Sequence, residues 1–211
     1  MHTEYWLPFT ALSAFWLAIP GRSGFLIASY AHGKGRRTAL FTVPAFVLAN
    51  LAAALAAGHL TLWASLVSPV LYSAVIWIGG LLLAFTIAGI ALAPDLVGPF
   101  ADNDNLREKR LPRIFLDVFA QTFFERRILF FHLAVVPHFL FANAAWQPQL
   151  AWLCAAVAVA ALAVSLYQAM MPDAFLRRIR RRTALRRKPV RGGMVSIASG
   201  AVVAGYRKIA A

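Results

Sequence analysis

Apolar residues in this chain occur in runs of about twenty, separated by short segments rich in Lys and Arg or in Pro. Because a helix needs roughly 20 consecutive apolar residues to cross a membrane, the pattern predicts spanning helices. Five long stretches and one short candidate qualify: residues 5–32, 38–58, 70–93, 113–146, 150–170 and 194–206. The pattern therefore predicts an all-α integral membrane protein with about six transmembrane helices.

Two of these stretches are interrupted. The first contains Pro20-Gly21-Arg22, where Pro removes a backbone hydrogen bond and Gly weakens the helix. The fourth contains the charged segment Glu125-Arg126-Arg127, about half a chain later. Two inverted three-helix halves with matching broken helices are a common plan for transporters, and their binding sites lie where the interrupted helices meet. We expect this plan here, with broken first and fourth helices.

The expected halves form a single transmembrane domain that covers residues 1–211. Its parts are a first half, a cytoplasmic loop, and a second half that carries a basic loop: residues 1–95, 96–112, 113–211 and 172–193. The short stretch 194–206 is the weakest of the predicted spans.

The positive charge is distributed unevenly between the connections. Lys and Arg number 21 against 8 Asp and Glu, which gives a net charge of +13. The segments after the first, third and fifth stretches contain three, four and nine basic residues, whereas those after the second and fourth contain none. By the positive-inside rule the N-terminus lies outside and the basic loops are cytoplasmic: residues 33–37, 94–113 and 172–193.

Composition excludes several classes of protein. With 61% hydrophobic and 14% charged residues, the chain is not a soluble enzyme, a disordered chain or a coiled coil. Because the basic residues flank apolar runs, we expect anionic lipid headgroups as partners, above all at residues 177–191, and no nucleic acid. The single Cys154 excludes a disulfide within the chain, and we expect no metal or cofactor.

Five segments follow one another in an order typical of one transporter family. They are Ile19-Pro20-Gly21-Arg22, the Gly- and Arg-rich residues 33–39, the helix over residues 68–82, the Phe-rich residues 130–139 ending in Pro137-His138-Phe139, and the short Gly-containing helix over residues 193–205. In order and spacing the chain resembles the lysine exporter (LysE/RhtB) superfamily of small amino-acid efflux proteins. The resemblance implies that the chain is not an enzyme. It implies instead a secondary exporter of an amino acid or related small metabolite in the bacterial cytoplasmic (inner) membrane, driven by the proton gradient, with homo-oligomerisation left open. The sequence has no P-loop for the use of ATP.

The chain departs from the family where substrate would be recognised. The family's Pro-Gly-Pro turn is Pro-Gly-Arg here, and its Asn-Pro-Lys corresponds to Glu125-Arg126-Arg127. The usual glycines of the second helix are missing from residues 40–52. The identity of the substrate therefore does not follow from the resemblance.

A polar stripe marks the fourth stretch. If the helix were continuous, Asp117, Gln121, Glu125 and His132 would lie within about 80° of one another on one face. Charged groups in a membrane normally face a cavity or a partner, so the stripe is a candidate pathway. The expected substrate-binding residues are Pro20, Gly21, Arg22, Gln121, Arg126 and Arg127, with the arginines meeting a carboxylate. The candidates for carrying a coupling proton are Asp117, Glu125 and His132.

Alternatives remain open at this point. Residues 113–127 are also compatible with an amphipathic helix on the cytoplasmic surface, which would make Arg126 and Arg127 ordinary anchors. A broken helix with a re-entrant first half satisfies both patterns. For function, the rivals are a non-transporting membrane scaffold or regulator and an enzyme acting on lipid headgroups, with Glu125, Asp117 or His132 as its base.

Overall fold

The computed structural model describes residues 6–92, 111–140 and 145–177, and every regular element among these residues is helical. The α-helices are α1 Trp6–Ala18, α2 Arg22–Lys34, α3 Ala39–Val67, α4 Pro69–Leu92, α5 Leu111–Phe123, α6 Arg126–Val135 and α7 Trp146–Met170. Short 3-10 turns follow α2 and α6, at Arg36–Thr38 and Val136–Phe139. The predicted segment 194–206 and most of the predicted loops 94–113 and 172–193 lie outside the described residues.

Three of the described helices are long and apolar enough to cross a membrane, namely α3, α4 and α7. The pair α1 and α2 would make a fourth span if it is counted as one helix with a bend of 66°. The predicted all-helical class is thus confirmed for the described part of the chain, which has three to four candidate membrane spans. The arrangement of six helices in two halves stays a prediction.

The break between α1 and α2 occurs where the sequence predicts it. α1 closes with a tightened turn in which Ile19 N–H bonds to the Trp16 carbonyl at 3.2 Å. Pro20 offers no N–H to continue the helix. Gly21 is extended and caps α2, because its carbonyl accepts the first helical bond, from Phe25 N–H at 3.0 Å.

The predicted end of the second span is wrong. Residues 59–67 were expected in an outer loop, but α3 continues through them to Val67. Gly58 does not end the helix, since it lies buried on the α3 face that meets Leu150. The helix ends at Ser68, whose backbone is extended because Pro69 follows it. α7 likewise begins at Trp146, earlier than predicted, because its first turn tolerates Pro148.

The helices pack around α3 and α7, which contact one another along their lengths. α5 lies against α3, α1 lies against α7, and α4 packs mainly against α6. No described residue covers the apolar outward face of α4, as Trp77 and Phe85 show with exposed fractions of 78% and 77%. This arrangement suits a helix that faces lipid. α1, α2, α5 and α6 meet around the two helix interruptions.

Candidate functional site

The second interruption is also a break in the helix. α5 ends at Phe123, and α6 begins at Arg126 after Glu125, whose backbone is extended. The Glu125 carbonyl accepts the first bonds of α6, from Ile128 N–H at 2.8 Å and Leu129 N–H at 3.1 Å. The two breaks lie against each other, so that the end of α1 and the beginnings of α2 and α6 converge.

The carboxylate of Glu125 reaches the first turn of α2. Its Oε2 atom accepts hydrogen bonds from the Ser23 hydroxyl at 2.6 Å and from Ser23 N–H at 3.2 Å. The first N–H groups of a helix have no partner within it and carry partial positive charge. Gly21 itself has no side chain to cap them, so a residue from another helix break supplies the negative charge.

The guanidinium of Arg127 reaches the other side of the same break. Its Nη1 atom donates to the carbonyl oxygen of Ile19, just beyond the end of α1. Its Nε atom lies 3.2 Å from Glu125 Oε1. A cation is favourable near carbonyls at the end of a helix, for the same reason that an anion is favourable at the start.

The ion pair is almost completely removed from solvent. The side chains of Arg127 and Glu125 are only 9% and 10% exposed. A charge transferred out of water is costly unless it is paired and hydrogen-bonded. Here each charge has the other as partner, and each also neutralises the partial charge at one helix end. A Cβ atom on Gly21 would collide with both side chains, so glycine allows their close approach.

Aromatic packing supports the pair from the side of α1. Trp16 Nε1 donates to the Arg127 carbonyl at 3.3 Å, and its ring stacks on Phe131 with centroids 5.3 Å apart. Phe131 in turn meets the ring of His132 edge-on. His132 is buried, its Nδ1 atom lies 2.8 Å from the Ile128 carbonyl, and its Nε2 atom has no hydrogen-bond partner among the described residues.

The structure brings together only part of the predicted stripe. Because the helix breaks after Phe123, Asp117 and Gln121 belong to α5, and the single helical face that joins them to His132 does not form. Asp117 is half-buried and accepts a hydrogen bond from the Tyr30 hydroxyl at 3.3 Å. Gln121 is exposed. Glu125 is therefore the member of the stripe that meets the first break.

At each break the structure buries part of the predicted site and leaves a neighbouring arginine exposed. Pro20 and Gly21 are buried, while the neighbouring Arg22 is exposed. Arg127 is buried, while the neighbouring Arg126 is exposed. The described residues also contain no group of three or more His, Cys, Asp or Glu side chains placed to hold a metal ion.

Two participants were not predicted from the sequence. Ser23 occupies the second position of α2, where its backbone N–H has no partner within the helix, so its place just after Pro20-Gly21 is a usable signal for an acceptor nearby. Trp16 offers no comparable signal, since an aromatic residue in an apolar helix is usually a packing residue. Its role depends on the position of Arg127, which only the tertiary structure defines.

Comparison of the chain with models of protein families, with curated proteins and with solved structures gives no match. The resemblance to the lysine exporter superfamily therefore rests on the motifs quoted above. What the site can do is argued below from its own geometry.

Proposed function

We propose that this chain is a secondary active exporter of an amino acid or related small metabolite across the bacterial inner membrane, coupled to the proton gradient. One observation carries the proposal: a buried ion pair, Glu125 with Arg127, lies where two broken helices cross. Ionisable residues inside membrane domains are costly and commonly mark pathways for substrates or ions. Discontinuous helices are the usual framework for such sites.

The proposed architecture has six spans in two inverted halves. The broken pair α1–α2 opens the first half, and the broken pair α5–α6 opens the second. α1 and α5 each have 13 residues before the break. α5 buries Ile114 and Val118 but turns Leu116 outward, with an exposed fraction of 62%. Phe124, directly after α5, is 73% exposed. Large apolar side chains on the outer face favour insertion into lipid over a position on the membrane surface.

The ion pair offers a way to couple a proton to a substrate. While the site is empty, ionised Glu125 pairs with the guanidinium of Arg127 and with the start of α2. An amino acid can part the pair, with its carboxylate on Arg127 and its ammonium group on ionised Glu125. A proton on Glu125 removes the negative charge that holds the ammonium group, so the substrate leaves as the proton binds. Proton and substrate therefore compete for the same carboxylate, as exchange across a membrane requires.

A membrane scaffold is the second candidate, and one observation favours it. Glu125 binds Ser23 and Arg127 binds the Ile19 carbonyl, so the pair joins both sides of the first break to the second break. A pair that serves only to lock two helix breaks together would have the same contacts. The two candidates differ in whether the pair must open.

Metabolite profiling of the culture medium separates the two candidates. Cells that express the chain are compared with cells that express Glu125→Gln or the double variant Glu125→Gln/Arg127→Ala, at equal membrane abundance. We expect one amino acid or a small related set to accumulate only with the unaltered chain. Glu108→Gln, the same chemical change in a predicted loop, serves as the matched control. Identical profiles for all variants would support the scaffold.

Proteoliposomes test the coupling itself. With the exported metabolite identified, an imposed pH gradient should drive its accumulation through the unaltered chain. Glu125→Gln should lose the response to the gradient, because the proton then has no carboxylate to neutralise. Equal responses of the two proteins would remove Glu125 from the coupling mechanism.

A further inference from the structure

A groove lies at the ends of α2 and α7, and it shares no residue with the ion-pair site. Its volume is about 380 Å³. The polar side chains in its lining are His32, Arg36, Asp173 and Arg177, and its apolar side chains include Met170 and Met171. His32 is nine residues from Ser23 along α2, which places the groove roughly 13 Å along the helix from the ion-pair site.

The wall of the groove formed by residues 172–177 is held firmly against α2. This segment is helical, and within it Phe175 and Leu176 are buried against Ala28. His32 Nδ1 lies 2.8 Å from Asp173 Oδ1, which adds a polar link between the same two elements. The groove is thus part of the packed structure.

Local hydrogen bonds also fix the backbone turn at Arg36 and the side chain of Arg177. Gly35 has a positive φ of 86° and turns the chain into the segment that carries Arg36. Thr38 fixes this turn, since its hydroxyl donates to the Gly35 carbonyl at 2.9 Å. Arg177 Nε donates to the Asp173 carbonyl at 3.3 Å, which leaves the other guanidinium nitrogens for a ligand. Two guanidinium groups outnumber the single carboxylate in the lining, so the groove favours an anion.

The apolar part of the lining indicates where that anion comes from. Met170 ends the apolar helix α7 and Met171 follows it, and they are 46% and 57% exposed. The arginines follow within the same groove, so the border between apolar and charged surface runs through it. A phospholipid has the same arrangement, because its apolar acyl chains lie next to a charged phosphodiester. Basic pockets between spanning helices are known to hold phospholipid headgroups.

We propose that this groove is a binding site for the phosphodiester of a membrane phospholipid, with Arg36 and Arg177 holding the phosphate and Met170 and Met171 contacting the first part of an acyl chain. Arg suits this role because its planar fork donates two hydrogen bonds to a phosphate. The site ties a lipid to both α2 and the segment after α7. It does not depend on the proposed export function.

Native mass spectrometry of the full chain in a mild detergent tests the site. The protein is titrated with phosphatidylglycerol, with a diacylglycerol of the same chains, and with inorganic phosphate. The double variant Arg36→Gln/Arg177→Gln should lose affinity for phosphatidylglycerol by roughly thirty-fold, at about five-fold for each charge removed. Arg37→Gln/Arg113→Gln removes the same charge from exposed positions outside the groove and should change the affinity by less than about two-fold.

Each other outcome overturns the proposal. Equal losses in the two double variants would mean that the lipid is attracted by overall charge and not by the groove. Diacylglycerol binding as tightly as phosphatidylglycerol would remove the phosphate from the recognition. Inorganic phosphate binding as tightly as the lipid would make free phosphate the ligand and the methionines irrelevant. Thermal unfolding of both variants in detergent verifies that they are folded. If the Gln variants do not fold, Arg36→Lys/Arg177→Lys, which retains the charge, replaces them.

Discussion

Arg127 donates a hydrogen bond to the carbonyl oxygen of Ile19, a residue 108 positions earlier in the chain. Its neighbour Glu125 accepts two hydrogen bonds from Ser23, on the far side of the same break. Glu125 and Arg127, at the break between α5 and α6, therefore hold together the two sides of the break between α1 and α2. Any movement of α1 relative to α2, or of either relative to α6, must first part these contacts.

The buried arginine should be far more sensitive to substitution than its exposed neighbour. Arg127→Gln leaves the carboxylate of Glu125 buried without its cation, and a broken buried ion pair typically costs about 3–5 kcal/mol. Arg126→Gln changes an exposed side chain and should stay within about 0.5 kcal/mol of the unaltered protein. Midpoints of thermal unfolding in detergent, measured for both variants, provide the comparison.

The double variant Glu125→Gln/Arg127→Gln shows whether the cost comes from the unpaired charge. Since it buries no charge, it should be more stable than Arg127→Gln alone, although it lacks more of the original groups. If the double variant is less stable than the single one, the pair does not stabilise the protein through mutual neutralisation.

Ser23→Ala should weaken the hold of Glu125 on α2. The hydroxyl hydrogen bond to a charged group, at 2.6 Å, is of the kind that contributes about 1.5–3 kcal/mol. Ser65→Ala is the control, because Ser65 is exposed and donates to the Leu62 carbonyl of its own helix. Hydrogen exchange measured at the first turn of α2 should rise in Ser23→Ala and stay unchanged in Ser65→Ala. Unchanged exchange in both would contradict the capping role of Glu125.

Local chemistry made the break after α1 predictable. Pro20 has no N–H and Gly21 has no side chain, so the interruption follows from the residues themselves. The end of α3 depends equally on local chemistry, but Gly58 was the wrong signal. The pair Ser68-Pro69, which forces an extended residue before the proline, is the correct one.

The contacts of the candidate site were not predictable in the same way. Glu125 and Arg127 are candidates because charges are unusual within an apolar run, and the structure places both against the first break. The polar stripe, however, places Gln121, Glu125 and His132 on one face only if the helix is continuous, and the predicted break at this segment removes that condition. The partners at Ile19 and Ser23 come from the packing of distant segments, which the spacing of residues along one helix does not contain.

Trp16→Phe should separate the hydrogen bond of Trp16 from its packing. Phe keeps an aromatic ring against Phe131 but cannot donate to the Arg127 carbonyl, so the loss should be about 1 kcal/mol. Trp77→Phe changes a side chain that is 78% exposed and serves as the control. Thermal unfolding in detergent should show a lower midpoint for Trp16→Phe alone. A similar midpoint for the two variants would mean that the indole N–H contributes nothing to the site.

The adjacent glycines of α4 offer a test of how tightly α6 is held. A Cβ atom on Gly79 would lie 2.8 Å from the Leu133 carbonyl oxygen and 3.0 Å from the Ala134 Cα atom, both in the backbone of α6. Since a backbone cannot move aside as a side chain does, Gly79→Ala should push α6 away and cost about 1–3 kcal/mol. A Cβ atom on Gly80 meets no described residue within 4 Å, and alanine is the better helix former. Gly80→Ala should therefore be neutral or stabilise the protein by up to about 1 kcal/mol.

Because α6 carries Arg127, the displacement in Gly79→Ala should also reach the ion pair, which hydrogen exchange at the start of α2 would reveal. Equal unfolding midpoints for the two variants would mean that α4 and α6 are not in close contact. The site where the two helix breaks meet would then lack support from α4.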